Sequence, residues 1–364
     1  MSARGGTPSA LFFAGVVAAG TACSVDTRDA PAAGSMRAPT AGLEARGIRR
    51  MSEPEYRATL ASLLGSVPAE PTLPPAPRQH GFSRNAGQIV DDFSATVLHE
   101  LATSATRAAV RSGGVAELGE CGEPVSRDCA ARAVRAFGRR AFRRPLLDDE
   151  AARYLALYDA GAEMGDSLAG FELALATMLE SPFLLYAQAL GRQADSSGAV
   201  RLTSHELASE LSYAVAGGPP DAELSALADR GALFDARVRE REARRLFRQS
   251  DTRFQYRRFV DEWLELDRLS LTAKDLGVYP DFVSRRSAMT RDAWDFVDRA
   301  MVESNGSLTA LVAGEAGGRT GLLESPAFLA VHAHPASSAP VLRGVAVLTR
   351  VLCRDFPTPD ELGI

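Results

Sequence analysis

The segment CAARAVRAFGRRAFRRPLLDDE, residues 129–150, predicts two helices joined by a turn. In its first half, apolar residues recur at helical spacing and arginines occupy the opposite face; the apolar positions are Ala130, Ala133, Val134, Phe137 and Ala141. Pro145 then interrupts the first helix, and Asp148 is expected to cap the second. The segment FELALATMLESPFLLYAQALG, residues 171–191, follows, and the helix predicted over residues 167–179 is apolar on nearly every side, which is typical of a buried helix.

Outward from this region, almost every ordered stretch has helical periodicity, and few stretches alternate with period two. A capping box at Ser52-Glu53-Pro54-Glu55 opens the first helix, and Gly65 ends it. The sequence therefore predicts an all-α fold of bundle-like multi-helix domains with minor or no strand content. The predicted helices are 52–64, 88–111, 128–143, 148–160, 167–179, 203–215, 222–229, 236–249, 251–266, 284–303, 326–332 and 341–353.

The first 23 residues are typical of a bacterial export signal. Arg4 is followed by an apolar run from Ala10 to Gly20, which is too short to span a bilayer of roughly 30 Å. The run ends at Thr21-Ala22-Cys23, which is similar to a lipobox whose cysteine becomes acylated. Export without lipidation and an unprocessed leader are the alternatives. Residues 24–47 are rich in Ala, Pro, Thr and Asp and are expected to form a disordered tether.

The composition describes an ordinary globular chain of 364 residues, 46% hydrophobic and 24% charged. A net charge of -5 argues against a nucleic-acid-binding protein. Lys274 is the single lysine, which fits a GC-rich genome. We expect attachment to a membrane through the lipid anchor only, and location in the periplasm or on the outer membrane or cell surface.

The cysteines fit an oxidising compartment. Cys121 and Cys129 flank the turn GEPVSRD, and we predict a disulfide between them, because a metal pair would need further Cys or His residues nearby. Closing so short a loop stabilises the fold by about 2.5 kcal/mol in the chain-entropy treatment. Cys353 is left without a predicted partner in this chain; its partner would lie in a further segment, or it would be a buried free thiol.

Polar and Gly/Pro-rich stretches divide the chain after the tether. The predicted domains are an N-terminal helical domain (48–120), a domain carrying the arginine motif (121–190), a third helical domain (200–313) and a truncated C-terminal domain (314–364).

Two groups of residues are candidates for a binding site. Arg139, Arg140, Arg143 and Arg144 could bind an anion, or could serve the helix end and pair with the acidic residues 148–150. His332-Ala333-His334 is the most metal-like feature, because two histidines separated by one residue on a strand point the same way. A metal-dependent hydrolase is therefore one alternative function.

Other signals of chemistry are weak. No C-x-x-C-H motif for covalent haem, no nucleophile elbow and no phosphate loop occurs in the sequence. Trp263 and Trp294 are expected in the core, with a polysaccharide-binding surface as the alternative. We assign no reaction and no cofactor to this chain, and we expect no activity from it alone.

Five ordered blocks resemble the planctomycete-type extracellular domains of unknown function that accompany c-type cytochrome modules, also common in myxobacteria. The blocks are RRMSEPEYRATLASLLG (49–65), FGRRAFRRPLLDDE with SPFLLY (137–150 and 181–186), LTSHELASELSYAVAGGPPDAEL (202–224), FVDEWLEL (259–266) and GLLESPAFLAVHAHPASSAPVLRGVAVLTRVLC (321–353). The resemblance implies an envelope protein accessory to a cytochrome-c-linked or surface redox or degradation system, with an envelope redox protein as partner.

The chain departs from this pattern in places. Glu210 stands where the family shows arginine, and Asp292 replaces a usual glutamate. Relatives usually continue into a module with a Cys-x-x-Cys-His-like motif, whereas this sequence stops at Ile364. The resemblance therefore implies that haem c, where present, belongs to a missing C-terminal segment or to a partner.

Overall fold

A computed structural model describes residues 47–74, 77–122, 124–194, 200–249, 253–302, 307–314 and 321–354. The fold is 65% helical and 4% strand, which confirms the all-α prediction. The export signal, Cys23 and the tether up to residue 46 lie outside the described residues, as do residues 355–364.

The chain forms two compact units. The N-terminal unit contains the described residues up to 78 and residues 83–249, and the C-terminal unit contains residues 79–82 and the described residues from 253 to 354. The division between the units falls inside the third predicted domain, 200–313. The predicted boundaries near residues 120 and 190 both lie within the N-terminal unit.

The N-terminal unit consists of helices and two short β-ribbons. Its elements in chain order are β1 (Gly47–Arg50), α1 (Glu53–Leu64), α2 (Asp92–Arg111), α3 (Gly114–Leu118), α4 (Arg127–Ala141), α5 (Asp148–Met164), α6 (Ser167–Leu179), α7 (Pro182–Leu185), β2 (Tyr186–Ala189), β3 (Gln193–Ala194), β4 (Val200–Arg201), α8 (Ser204–Val215), α9 (Ala222–Asp229), a 3-10 turn (Ala232–Phe234) and α10 (Ala236–Phe247).

The C-terminal unit is helical throughout its described elements. They are α11 (Arg253–Trp263), a 3-10 turn (Leu266–Ser270), α12 (Phe282–Val302), α13 (Leu308–Ala313), a 3-10 turn (Leu322–Glu324), α14 (Pro326–Val331), α15 (Pro340–Ala346) and a π-helical turn (Val347–Val351). The last predicted helix, 341–353, is thus an α-helix of two turns that widens into π geometry.

Capping residues place several helix starts where the sequence predicts them. Ser52 and Thr203 open α1 and α8 with capping boxes, and the Asp221 side chain accepts from Leu224 N at the start of α9. The predicted start of α2 at residue 88 is wrong, because Asp91 is its N-cap and accepts from Ser94 N.

Two further details of the predicted helices are wrong. The helix predicted over 88–111 places Ile89 and Phe93 at helical spacing with Val97, Leu101 and Ala105, but Ile89 and Phe93 are 73% and 62% exposed. Asp148 does not cap α5: the N-cap is Leu147, whose N–H donates to the Glu150 carboxylate at 2.8 Å. A carboxylate three residues inside the helix reaches the free N–H at its start better than one at the first helical position.

The β1–β2 ribbon has no counterpart in the sequence-based expectations. The strands pair antiparallel, with Gly47 opposite Ala189 and Arg50 opposite Tyr186. The ribbon continues into a hydrogen bond from Met51 N to Leu185 O of 2.8 Å. It thereby ties the start of α1 to the end of the SPFLLY segment.

One hydrophobic core runs through the N-terminal unit. Each of the helices α1 to α8 contributes members, and the largest fully buried side chains among them are Tyr56, Phe137, Phe171 and Tyr213. Helices α5 and α6 approach closely because glycines face the contact: a Cβ on Gly161 would lie 2.7 Å from Ala169 O, and one on Gly170 2.7 Å from Tyr158 O. Segments of the first three predicted domains thus share one core.

Candidate functional site: the arginine cluster and the histidine segment

Arg143 stands at the centre of the arginine cluster in the N-terminal unit. It follows the end of α4 in the left-handed region, with φ of 58°, and its side chain is buried. Its Nη2 donates to Phe183 O and Tyr186 O at 2.9 Å each, and its Nη1 donates to Leu184 O at 3.1 Å. Phe183 O and Leu184 O belong to the last turn of α7, where helical geometry leaves carbonyls without an intrahelical partner, and Tyr186 O follows at the start of β2. Arg143 is therefore the C-terminal cap of α7.

Arg144 forms a two-pronged ion pair across the turn. Its Nη1 and Nη2 lie 2.8 Å and 2.7 Å from the two oxygens of Glu150, which is buried. The hydrogen bonds from Arg144 hold the pKa of Glu150 below its usual range, and the same bonds raise the pKa of Arg144. The guanidinium also lies over the Phe183 ring, 5.1 Å from its centroid. The pair fixes the turn between α4 and α5.

The other two arginines bind neighbouring elements. Arg139 pairs with Asp229 at the end of α9, and Arg140 donates to Ser62 O in α1. His205 Nε2 lies 3.0 Å from the same Asp229 carboxylate. All four guanidinium groups of the cluster thus contact protein acceptors. Anion binding there stays a prediction, and an anion would have to displace these partners.

A second charged cluster surrounds Glu55, which is fully buried. Arg49 donates to both of its oxygens, at 2.7 Å and 3.1 Å, and Arg84 Nε donates to one at 3.2 Å. Glu210 of α8 lies 3.8 Å from Arg84 Nη2, which gives the cluster two charges of each sign. Burial and the neighbouring Arg49 lower the pKa of Arg84. The sequence indicated only the capping role of Glu55, since its arginine partners lie in β1 and in a loop.

Tyr213 of α8 connects both clusters. Its hydroxyl lies 2.7 Å from Thr59 Oγ1 in α1, and Arg143 lies over its ring, 5.6 Å from the centroid. Burial raises the pKa of the Tyr213 phenol, so it is neutral at physiological pH. The residues that make the sequence recognisable therefore converge on one place, at the junction of α1, α4, α7 and α8.

The histidine segment belongs to the C-terminal unit. His332 caps the C-terminus of α14 and is 7% exposed, and its ring centroid lies 4.5 Å from that of Phe328. His332 Nε2 lies 3.2 Å from Leu264 O, so this nitrogen donates and carries the proton. Burial lowers the pKa of the His332 imidazole. The carbonyl of His334 accepts from Lys274 Nζ at 2.9 Å, and so does that of Ala333 at 2.8 Å.

The metal site proposed for His332 and His334 stays a prediction. In the part of the chain that the structure describes, no group of three or more His, Cys, Asp or Glu side chains is placed to hold a metal ion. A metal bound to His332 would have to use Nδ1, or Nε2 would have to give up its hydrogen bond to Leu264 O. The sequence did not indicate the hydrogen bonds from Lys274 to this segment, because Lys274 lies 59 residues before Ala333 along the chain.

Both tryptophans use their indole N–H inside the C-terminal unit. Trp263 Nε1 donates to Arg350 O at 2.6 Å, and Trp294 Nε1 donates to the Asp261 carboxylate at 3.1 Å and 3.0 Å. Phe259 lies between Phe82 and Trp263 in a stack with centroid separations of 5.6 Å and 6.0 Å. Both indoles are partly buried, so they serve packing here. Polysaccharide binding stays a prediction.

Asp261 is a titratable group that the sequence did not single out. Burial raises its pKa to about 6, and the charges of Asp267 and Glu262 add to that shift, while the hydrogen bond from Trp294 opposes it. A carboxyl group with such a pKa can hold or release a proton near neutral pH.

Within the same unit, an apolar hollow of about 470 Å³ lies between α14 and the π-helical turn. Its lining includes Phe328, Leu348 and Arg343.

The predicted disulfide is present. Cys121 and Cys129 are joined, with their Cα atoms 5.5 Å apart, and Ser126 caps the helix in which Cys129 lies. Cys353 is a free thiol, and it is exposed rather than buried. That part of the expectation for an unpaired Cys353 is wrong, because the chain leaves the core after the π-helical turn.

Four family models match the chain in order, each described as a protein of unknown function: PSD3 (DUF1587) over residues 49–111, PSD5 (DUF1595) over 129–188, PSD4 (DUF1592) over 202–317 and PSCyt3 (DUF1588) over 319–362. The chain therefore belongs to the planctomycete-type proteins that are built from this set of domains of unknown function. No curated protein and no solved structure matches it. Among the described residues, no helix is both long and apolar enough to cross a membrane.

Proposed function

We propose that this chain is an exported lipoprotein of the bacterial envelope that serves as an accessory protein of a cytochrome-c-linked or surface redox or degradation system. The observation that carries the proposal is the ordered set of four family domains, which spans most of the chain after the leader. Cys23 would carry the lipid, and residues 24–47 would tether the helical units to the membrane.

The disulfide supports export. A Cys121–Cys129 bond persists in the periplasm or at the cell surface, whereas the reducing cytosol opens most such bonds. The bond closes a turn in front of α4, the helix that carries the arginine cluster. Its contribution to stability would then be available only after export.

The accessory role is supported by how the strongest polar groups are used. The arginines at residues 139–144 contact carbonyls and carboxylates of neighbouring helices, and Glu55 is held by two arginines. Such networks fix the positions of the helices relative to one another. Haem c would be supplied by the partner or by a further segment, because covalent attachment needs a C-x-x-C-H motif, and this sequence contains none.

The lipid anchor is tested by expressing the chain with its own leader in a Gram-negative host that is fed an alkyne-labelled fatty acid. We expect label on the wild-type protein and none on Cys23→Ala, with the label blocked by an inhibitor of lipoprotein signal peptidase. A Cys353→Ala variant is the matched control, since it removes an exposed thiol elsewhere. Equal labelling of the wild type and Cys23→Ala would refute the anchor.

The redox association is tested in membranes of the source organism. Affinity capture of the tagged chain after mild cross-linking should retain a protein that stains for covalent haem and gives a reduced-minus-oxidised c-type spectrum. A variant with Arg139→Ala tests whether an exposed arginine contributes to that surface. Capture without any haem protein, from membranes that contain c-type cytochromes, would refute the association.

A further inference from the structure

The apolar hollow of the C-terminal unit has the size of a small-molecule site. Its volume is about 470 Å³, and its lining extends from Phe328, which is 2% exposed, to Leu352, which is 57% exposed. The hollow therefore reaches from the core of the unit to its surface. Concave, mostly apolar sites of this volume with a few polar groups are typical of ligand-binding pockets.

One wall of the hollow is formed by the π-helical turn Val347–Val351 and the residue that follows it. Leu352 N donates to Val347 O at 3.0 Å, which is the hydrogen bond across five residues that defines π geometry. The turn is held in place by Trp263, whose Nε1 donates to Arg350 O at 2.6 Å. Single π-helical turns are rare, and they occur frequently at functional sites.

Gly344 of α15 lines the same hollow. Its φ is not in the left-handed region. In the part of the chain that the structure describes, a Cβ built on Gly344 would meet no atom within 4 Å beyond the adjacent residues and the backbone of its own helix. Glycine destabilises a helix relative to alanine, and neither the backbone conformation nor the surrounding packing requires it here. What the glycine provides is open space, in which a ligand can lie directly against the helix backbone.

Arg343 is the basic residue of the lining, and it is half-buried. Among the described residues, its guanidinium has neither an ion-pair partner nor a hydrogen-bond acceptor. This distinguishes it from the four arginines of residues 139–144, which all contact protein acceptors. Glu324, the acidic residue of the lining, is exposed, so water and salt screen its charge. A half-buried guanidinium beside an apolar space can bind a carboxylate through two hydrogen bonds.

We propose that the hollow binds a small carboxylic acid with an apolar body. The carboxylate pairs with Arg343, and the apolar body lies between Gly344 and the π-helical turn. A neutral apolar molecule would leave the guanidinium without a partner, and a cationic one would be repelled by it. The proposal does not depend on export or on the lipid anchor, because every residue that it uses lies in the C-terminal unit.

The test is isothermal titration calorimetry of the full chain with octanoate, at concentrations below those at which octanoate forms micelles. Octanol and octylammonium have the same alkyl chain and serve as the neutral and cationic comparisons. We expect octanoate to bind with one molecule per chain. Octanol should bind about tenfold more weakly or worse, because it cannot form the charge-assisted hydrogen bonds, and octylammonium should not bind.

Two variants separate the charge of the site from its space. Arg343→Gln should lower the affinity for octanoate by about tenfold or more and remove the preference over octanol. Its matched control is Arg291→Gln, which removes an exposed arginine from α12 of the same unit and should leave binding unchanged.

Gly344→Leu should fill the hollow and abolish the binding of octanoate and octanol alike. Its melting temperature should not fall below that of the wild type, because leucine is favoured over glycine in a helix. Gly344→Ala adds only the Cβ, for which there is room, and should weaken octanoate binding by a smaller factor.

Four outcomes would overturn the proposal. The wild type could fail to bind octanoate at millimolar concentration, or it could bind octanol equally well. Equal octanoate affinities of the wild type and both Gly344 variants would place the ligand elsewhere on the chain. Self-association of the wild type in sedimentation velocity, lost in a folded Gly344→Leu variant, would assign the hollow to contact with a second copy.

Discussion

Replacing Arg143 by glycine separates the two roles that a residue at this turn can have. With φ of 58°, the position lies in the left-handed region, where glycine is favoured over other residues by about 1 kcal/mol. If Arg143 only formed the turn, replacing it by glycine would therefore raise the free energy of unfolding. If Arg143 caps α7, as its three main-chain acceptors indicate, glycine removes those hydrogen bonds and destabilises the N-terminal unit.

The size of the effect follows from the contacts. A hydrogen bond from a charged donor contributes about 1.5–3 kcal/mol, and buried acceptors left without a donor lose their solvation as well. The contributions of three such bonds are not additive, and we expect their removal to lower the free energy of unfolding by about 3–5 kcal/mol. Relief of backbone strain by glycine should restore about 1 kcal/mol of that loss. For a unit of this size each kcal/mol corresponds to about 2–4 °C, so the melting temperature should fall by roughly 5–15 °C.

The assay is urea unfolding followed by circular dichroism, with thermal melting as a second measurement. Arg153→Ala is the matched control, because that arginine is 68% exposed and pairs only with Asp149 one helical turn away. The control should change the free energy of unfolding by less than about 0.5 kcal/mol. An Arg143→Gly variant as stable as the wild type, or more stable, would refute the capping role.

Three further changes have defined outcomes. The raised pKa of Asp261 means that its ionisation lowers stability as pH rises from about 4 to about 6. Asp261→Asn should therefore be more stable than the wild type by about 3 kcal/mol at pH 7.5 and equal to it near pH 3, whereas a difference that does not vary with pH would contradict this. Changing Cys121 and Cys129 together to serine should cost about 2.5 kcal/mol, and a reductant should do the same to the wild type but nothing to the variant. Tyr213→Phe should cost about 1 kcal/mol in urea unfolding, and much less when Thr59 is already valine; equal losses in both backgrounds would show that the two hydroxyls do not interact.

The elements that the sequence predicted well are those with local causes. Helices α6, α8 and α9 begin beside capping residues and end where their periodicity ends, so their bounds agree with the prediction to within one residue. The start of α2 was missed because Ile89 and Phe93 continue the apolar period into a segment that remains exposed. Periodicity alone cannot distinguish an apolar residue in the core from one on the surface.

The β1–β2 ribbon and the role of Arg143 were missed for another reason. The strand Gly47–Arg50 pairs with residues nearly 140 positions later, and the sequence of a four-residue strand does not indicate which distant segment it pairs with. The arginine motif predicted a helix end correctly, but the acceptors of Arg143 lie forty residues away in the SPFLLY segment. The fold joins the two blocks, because Arg143 of the first donates to carbonyls of the second.

The same reasoning applies to the candidate sites. The sequence indicated His332 and His334 as metal ligands by residue type and spacing alone. In the structure, the His332 ring contacts the carbonyl of Leu264, and the His334 carbonyl accepts from Lys274. Asp261 had no signal in the sequence, since its pKa depends on burial and on the indole of Trp294. The partners of these three residues follow from the fold and not from residue type.

Segments matched by three separate family models contribute to one core near Arg143 and Tyr213, and we expect them to unfold as one cooperative unit. Hydrogen exchange of the intact chain over a series of low denaturant concentrations tests it most directly. We predict that the most protected amides of α1, α4, α6 and α8 share one opening free energy and one denaturant dependence. Exchange of α8 through a separate opening of lower free energy, while α1 and α4 stay protected, would contradict the claim.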